Sequence, residues 1–530
     1  MARAAAVTSL TIFLVKSGLK EADVLDGEAS ADCDAIDIRL GDRSVGTLYA
    51  KQTPITPPSW LKFFAGSASK HPRLRRASVS AAYITRADGR LFAIVFGQGR
   101  HLLKGGVYEE RFGLRVTLNS VDPDSLRSVD VSTLDANPFH GTRQASREAP
   151  LGEFGVNLDQ DILRAVTGRP VDEKLGTRMA GVDSLSVRVR VSLTTLPALL
   201  KRYLGRSEDV GYREKFRWVD HVAEVRDSLL EERLFRDLVQ VIAKKKGEAW
   251  AAIPERIDWT DFDSFRFGSI AKGRAHDDIT VDRMLDCLGG ETVSLELLQH
   301  KFVYCMADGN PHPVRKWSFL KCLTAELKVD GSIYLLNAGK WYRISSDFVD
   351  EVNRDLDMLL PDSPPSLPVW GDEHEGAYNA RIAADSGGRF ALMDQVMISH
   401  RGMPSPVEFC DLFSTDRQLI HVKRYGQSSI LSHLFMQGMV SAELLLSDAQ
   451  FRLAVNARLP PSHQLGDPNN RPLPSAYEVV FAIGSNEVGP LTLPFFSRVT
   501  LRNVVRSLTQ SFGYRVSLAK IRVDKLAQIG

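Results

Sequence analysis

The chain is poor in cysteine. Its five cysteines, Cys33, Cys287, Cys305, Cys322 and Cys410, are spread over 530 residues and no two form a Cys-x-x-Cys pair. That pattern excludes a zinc ribbon or finger and a disulfide scaffold, and it fits a reducing cytosol. An excess of one charge is also lacking: 67 Lys and Arg face 65 Asp and Glu, a net charge of +2. A wholly basic nucleic-acid coat is thereby excluded, although a local basic groove is not. No run approaches the roughly 18 apolar residues of a membrane span. The stretch from Ala4 to Val15 follows Arg3, but Thr8, Ser9 and Thr11 interrupt it. It reads as a β-strand and not as a secretion signal.

What remains is an ordinary globular composition, 44% hydrophobic and 25% charged, which rules out bulk disorder. At roughly 100–200 residues per domain the length predicts three or four domains. Residues 1–150 read as β-rich, with a hairpin of Ser78–Arg86 and Arg90–Gly97 turned at Asp88-Gly89. Pro54, Pro57 and Pro58 mark a loop, and His71–Arg76 a basic cluster. Residues 151–300 read as mainly helical, with apolar residues at helical spacing in Leu196–Leu204 and Val222–Lys246. Residues 301–360 read as a connector with a hairpin at Asn337-Ala338-Gly339. Pro361, Pro364, Pro365 and Pro368 predict a linker, and 361–530 a separate domain. The expected fold class is α/β and α+β, multidomain.

The order of elements after the linker is informative. A helix is predicted at Glu375–Ala384, then strands at Ala391–Ser399, Pro406–Ser414 and Gln418–Arg424. A helix at Ser428–Leu446, a strand at Tyr477–Ile483, a helix at Leu501–Phe512 and a strand at Arg515–Ile521 follow. The pattern is αβββαβ, then αβ. Period-two alternation puts Asp411 on one face of its strand and His421 with Lys423 on one face of the next. A hairpin then brings three polar groups together within apolar strands. Burying them is costly unless they bind something or pair. The plain alternative is an Asp411–Lys423 salt bridge at a sheet end. Ser429, His433, Gln437 and Ser441 form a polar stripe without Lys, Arg or Glu, which suits a polar cleft better than a solvated face. Arg498, Arg502 and Arg506 recur every four residues, as a basic stripe or a solvated helix face.

This constellation resembles the PD-(D/E)xK nuclease superfamily. The resemblance implies a restriction-endonuclease-like core in which Glu375, with Glu373 as fallback, is the first acid. Asp411 is the second-strand acid, His421 the x-position, Lys423 the lysine and Gln437 the glutamine of the following helix. It implies Mg²⁺ or Mn²⁺ held by Glu375, Asp411 and His421. His421 departs from the carboxylate or Gln usual there, and an imidazole suits Mn²⁺ better than Mg²⁺. Over its whole length the chain is similar to an uncharacterised, sporadically distributed family of bacterial proteins. Arg111–Asp130, Asp161–Gly168, Phe216–Val225, Leu335–Ser345 and Glu408–Ala442 carry that likeness. Together these imply a cytoplasmic metal-dependent endonuclease, acting on DNA rather than RNA, in anti-phage defence or a mobile element. No membrane role is implied, and the chain would act as a homo-oligomer or with a defence-system partner protein. The alternative is a catalytically inactive nuclease-fold subunit that binds nucleic acid or supports assembly.

Overall fold

Asp88 and Gly89 both adopt positive φ, 50° and 76°. That is the geometry a tight two-residue hairpin needs. They join Val79–Ala87 to Arg90–Gly97 in the computed structural model, which describes residues 6–52, 78–133, 140–157, 161–225, 227–245, 247–255, 257–271, 273–307, 312–361, 364–399 and 406–524. The Pro54–Pro58 loop, the His71–Arg76 cluster and part of the proline-rich linker lie outside the described residues.

The chain divides into two compact units. One contains the described residues up to 132 and from 140 to 219, the other those from 220 onward. The first is built on a ten-stranded, mainly antiparallel sheet. Its N-terminal strand Ala6–Leu14 pairs with Leu185–Val191, so the expected boundary at residue 150 does not separate two domains. The expectation of a mainly helical 151–300 is corrected in the same way. Asp161–Pro170, Arg178–Gly181 and Leu185–Val191 are strands of this sheet. One sheet face is covered by the helices Phe112–Leu118 and Leu196–Glu208, whose apolar residues share a core with Leu10, Ile12, Phe92 and Val187. Pro197 sits in the first turn of its helix, where its missing N–H costs nothing.

The second unit holds a five-stranded antiparallel sheet, ordered Val222–Glu224, Lys340–Ile344, Ser332–Asn337, Leu323–Val329, Glu248–Ala251, and a smaller three-stranded sheet. The helix Ser228–Lys244 realises most of the helical spacing expected over Val222–Lys246, whose first residues Val222–Glu224 form a strand instead, and the helix Ser346–Leu359 lies in the region expected to be a connector. The C-terminal sheet is mixed. Phe390–Leu392, Leu412–Ser414 and Gln418–Arg424 run antiparallel, and Glu478–Ser485 and Arg515–Arg522 continue parallel to the last of these. Every residue of Glu478–Ser485 is buried, as a central parallel strand covered on both faces must be.

The helix Ser428–Ser447 packs on this sheet, with Phe435 edge-on to Phe481 at 5.1 Å, and buries Leu431, Leu434, Ala442 and Leu445. Its segment Ile430–Ser447, 18 residues of mean hydropathy 1.3, is long and apolar enough to cross a membrane, and half of it is buried inside the fold. The sequence reading missed this because the apolar residues are interspersed with Ser, His and Gln. All five cysteines are free thiols.

Candidate functional site

Two anchors place Glu375 at the carboxyl end of the central strands. Trp370 stacks on Tyr378 at 4.4 Å, and the Tyr378 hydroxyl donates to the Pro368 carbonyl at 2.8 Å. The helix they fix begins at Glu375, capped by His374 Nδ1, which accepts from the Ala377 N–H. Lys423, one residue before the end of its strand, then reaches Glu375. Its Nζ lies 2.7 Å from Glu375 Oε1, with the two side chains 36% and 30% exposed. The ion pair therefore sits at a partly wet mouth, and Lys423 pairs with Glu375 and not with Asp411.

Asp411 is buried, and its Oδ2 accepts the Val422 N–H at 2.6 Å. The predicted strand Pro406–Ser414 is broken here. Val407–Glu408 pairs with Met397–Ile398, Asp411 lies at a bend, and only Leu412–Ser414 joins the main sheet. The predicted strand Ala391–Ser399 is broken as well. The Met393 and Asp394 N–H groups both donate to the Asp411 carbonyl, at 2.8 and 3.0 Å, and Gln395 donates its N–H to Glu408 Oε1. These breaks bring Asp394, Glu408 and Asp411 together, with ligand oxygens all within 4.8 Å of one another. Asn379, fully buried, donates to Asp394 Oδ2 at 3.2 Å.

The electrostatics follow from this crowding. Burial pushes the Asp411 carboxyl well above its usual range, and Glu408, Asp394 and Glu375 push it further, against the Val422 N–H. Burial also raises Glu408; Asp394 and Glu375 add to that, while the Gln395 N–H and Lys423 oppose it. Four carboxylates thus crowd together, and Lys423 pairs with Glu375 and partly offsets Glu408.

One predicted ligand does not join the cluster. His421 is 3% exposed and lies beneath the Ser428–Ser447 helix, with Nε2 3.5 Å from Ser441 Oγ. The helix approaches so closely that a Cβ on Gly438 would stand 3.2 Å from the His421 ring and 2.5 Å from Phe481. Burial alone lowers the His421 pKa to about 4, with no carboxylate contributing. Its assignment as metal ligand is therefore corrected. The side chain of Gln437, half-buried on the same helix, makes no hydrogen bond among the described residues. Glu373, the fallback acid, is tied to Arg381 at 2.5 Å. Glu375 and Lys423 pair, Asp411 feels the charge of Glu375, and the sequence reading missed Asp394 and Glu408. Their signal was a polar residue within each short apolar run, legible only once both runs are known to be broken.

A model of DUF6119, described as a family of unknown function, matches residues 10–522. The chain belongs to DUF6119. No curated protein matches, and no solved structure matches.

The arginine stripe of this DUF6119 chain is internal. Arg502 is fully buried against Asp355 at 3.2 Å and Glu351 at 3.5 Å, Arg506 meets Asp355 at 2.5 Å, and Arg498 donates to Asn353. The stripe fastens the helix Phe495–Arg506 to Ser346–Leu359. It is neither a solvated face nor a free basic surface.

Proposed function

We propose that this DUF6119 chain is a divalent-metal-dependent nuclease acting on DNA. Asp394, Glu408 and Asp411 would hold the cation, and Lys423 would face the scissile phosphate. The observation that carries this reading is the gathering of three carboxylates within 4.8 Å beside the Lys423–Glu375 pair. The donor set fits the ion. It is all carboxylate oxygen, which hard cations such as Mg²⁺ and Mn²⁺ prefer, and Asp411 is costly to ionise without a counter-charge. With His421 outside the set, the reason for favouring Mn²⁺ disappears. The cation, when bound, supplies an acidified water and neutralises phosphate charge.

The chain's own residues do the rest. The Val422 N–H orients Asp411, and Asn379 orients Asp394. Glu375 holds the Lys423 ammonium at the mouth, where it stabilises negative charge developing on phosphate. At roughly 5 Å and an effective dielectric near 20 that is worth about 3 kcal/mol, or about a hundredfold in rate. The αβββ order and the parallel continuation of the sheet support a restriction-endonuclease-like core. The free thiols accord with action in the cytoplasm, and anti-phage defence or a mobile element is the setting that the family resemblance suggests.

The test is cleavage of plasmid and linear duplex DNA by the full chain with Mg²⁺, with Mn²⁺ and with chelator. Cleavage is expected with either metal and none with chelator or in Asp411→Asn. Full activity in excess chelator would remove the metal from the mechanism. Metal and DNA binding without cleavage would instead support an inactive nuclease-fold subunit. One observation favours that second reading: the Lys423 amine is already engaged by Glu375 at 2.7 Å.

A further inference from the structure

In the ten-stranded sheet of the first unit, the strands Arg178–Gly181 and Leu185–Val191 have one face that the helices Phe112–Leu118 and Leu196–Glu208 do not cover; toward Phe13 and Val95 the same face is buried with Leu102 and Leu103. On this face Arg178, Arg188 and Arg190 are exposed. Arg188 stands directly opposite Arg178 across the ladder between Leu185–Val191 and Arg178–Gly181. Like charges directly opposite on a sheet are destabilising. A carboxylate neighbour would ordinarily relieve such a pair. None does: these three arginines form no ion pair among the described residues. Arg169 nearby is different, being paired with Glu173 at 2.7 Å. Around Arg178 and Arg188 the face is recessed, with a volume of about 580 Å³, and no Asp or Glu is among the residues lining it. The remaining polar groups there are hydroxyls, such as Thr11 and Ser186, whose oxygens lie 3.5 Å apart, and Thr177.

We infer that this recessed face binds the phosphate backbone of nucleic acid. Arginine forks and hydroxyl donors are the groups that hold phosphate oxygens without reading sequence. The charge runs as a line: Arg190 lies two residues beyond Arg188 on one strand, about 6.8 Å away. A line of charge suits a polymer with repeated phosphates better than one small anion. The recess admits a convex backbone, whereas a flat lipid surface cannot enter it. The site stands on unit-one residues alone and does not depend on the proposed cleavage site.

The test uses the full chain in chelator, so that nothing is cleaved, and follows its binding to a duplex DNA of about 30 base pairs by fluorescence anisotropy, between about 50 and 200 mM salt. The double variant Arg178→Gln/Arg188→Gln is expected to bind at least about tenfold more weakly in the middle of that range. Its slope of log K against log salt should fall by roughly 1.8, two released counterions. Arg190→Gln alone should lower the slope by about 0.9. The double variant should melt no lower than the parent, because a like-charge contact is removed. Cleavage by the parent chain is assayed separately with Mg²⁺, so failure of the cleavage proposal and failure of this one are distinguishable. An unchanged slope and affinity in the double variant would overturn the assignment. So would a parent chain that binds phosphatidylserine vesicles but not duplex DNA.

Discussion

Lys423 and Asp411 differ in what their removal exposes. Lys423 and its partner Glu375 are each about a third exposed, and such pairs contribute roughly 0–1 kcal/mol to stability. Lys423→Ala should therefore cost about a hundredfold in cleavage while the melting temperature hardly moves, measured by assay and calorimetry on one preparation. Asp411 is buried beside three other carboxylates, which leaves its carboxyl hard to ionise without a cation. Asp411→Asn keeps an oxygen for the Val422 N–H and removes the repulsion. In chelator it should melt higher than the parent. On adding Mg²⁺ the parent should gain stability by binding linkage and the variant should not. A variant that gains as much from Mg²⁺ as the parent would move the cation away from Asp411. His421 supplies a pH test of its own placement. Its folded pKa of about 4 lies below the usual 6.5, so the fold favours the neutral ring. The stabilisation is complete above about pH 6.5 and is lost as pH falls toward 4, up to roughly 3 kcal/mol. His421→Gln should flatten that acid limb in urea melts and leave Mg²⁺ affinity unchanged.

At the scale of elements, two helix starts are held by carboxylates from the middle sheet. Glu248 and Glu326 stand opposite each other across the Glu248–Ala251 and Leu323–Val329 ladder. Glu248 accepts the Ser428 N–H at 2.7 Å, and Glu326 accepts the N–H groups of Phe495 and Phe496 at 2.7 and 3.2 Å. Each acid caps donors that a helix leaves unpaired and meets the positive end of its dipole. Burial pushes Glu248 up to about 7, with Glu326 adding to this against the Ser428 N–H. A raised carboxyl pKa favours the protonated fold, so stability falls as pH rises from about 4.5 through 7, by up to roughly 3 kcal/mol. Glu248→Gln should remove most of that slope; an unchanged slope would place the titration elsewhere. None of this was legible in the sequence, because a cap supplied from 180 residues away leaves no local pattern. The long elements were legible. Gln418–Arg424 and Ser428–Ser447 carry enough apolar residues at their own period to declare themselves. The short strands around the site were not. Alternation through 406–414 and the strand-like run 391–399 predicted unbroken strands, but where both break the Met393 and Asp394 N–H groups donate to the Asp411 carbonyl and the Gln395 N–H to the Glu408 carboxylate.

At the scale of the molecule, the proline-rich segment at 361–368 does not mark an independent domain. The helix Phe495–Arg506 belongs to the C-terminal sheet by sequence, yet much of what it touches lies before the prolines. Arg502 is fully buried against Asp355 and Glu351 and lies over the Phe348 ring at 5.4 Å, and Phe495 meets that ring edge-on at 5.5 Å. Stripping partners from a buried charge costs roughly 3–5 kcal/mol, a large share of the roughly 5–15 kcal/mol by which domains are stable. A fragment of residues 364–524 would lose these partners together with both helix-capping glutamates. It should fail to fold cooperatively, whereas residues 220–524 should melt in one transition. Calorimetry and near-ultraviolet circular dichroism of the two fragments check this. Should 364–524 melt sharply at the temperature of the longer fragment, the contacts across the proline segment would carry little energy, and the C-terminal sheet would be a free-standing domain after all.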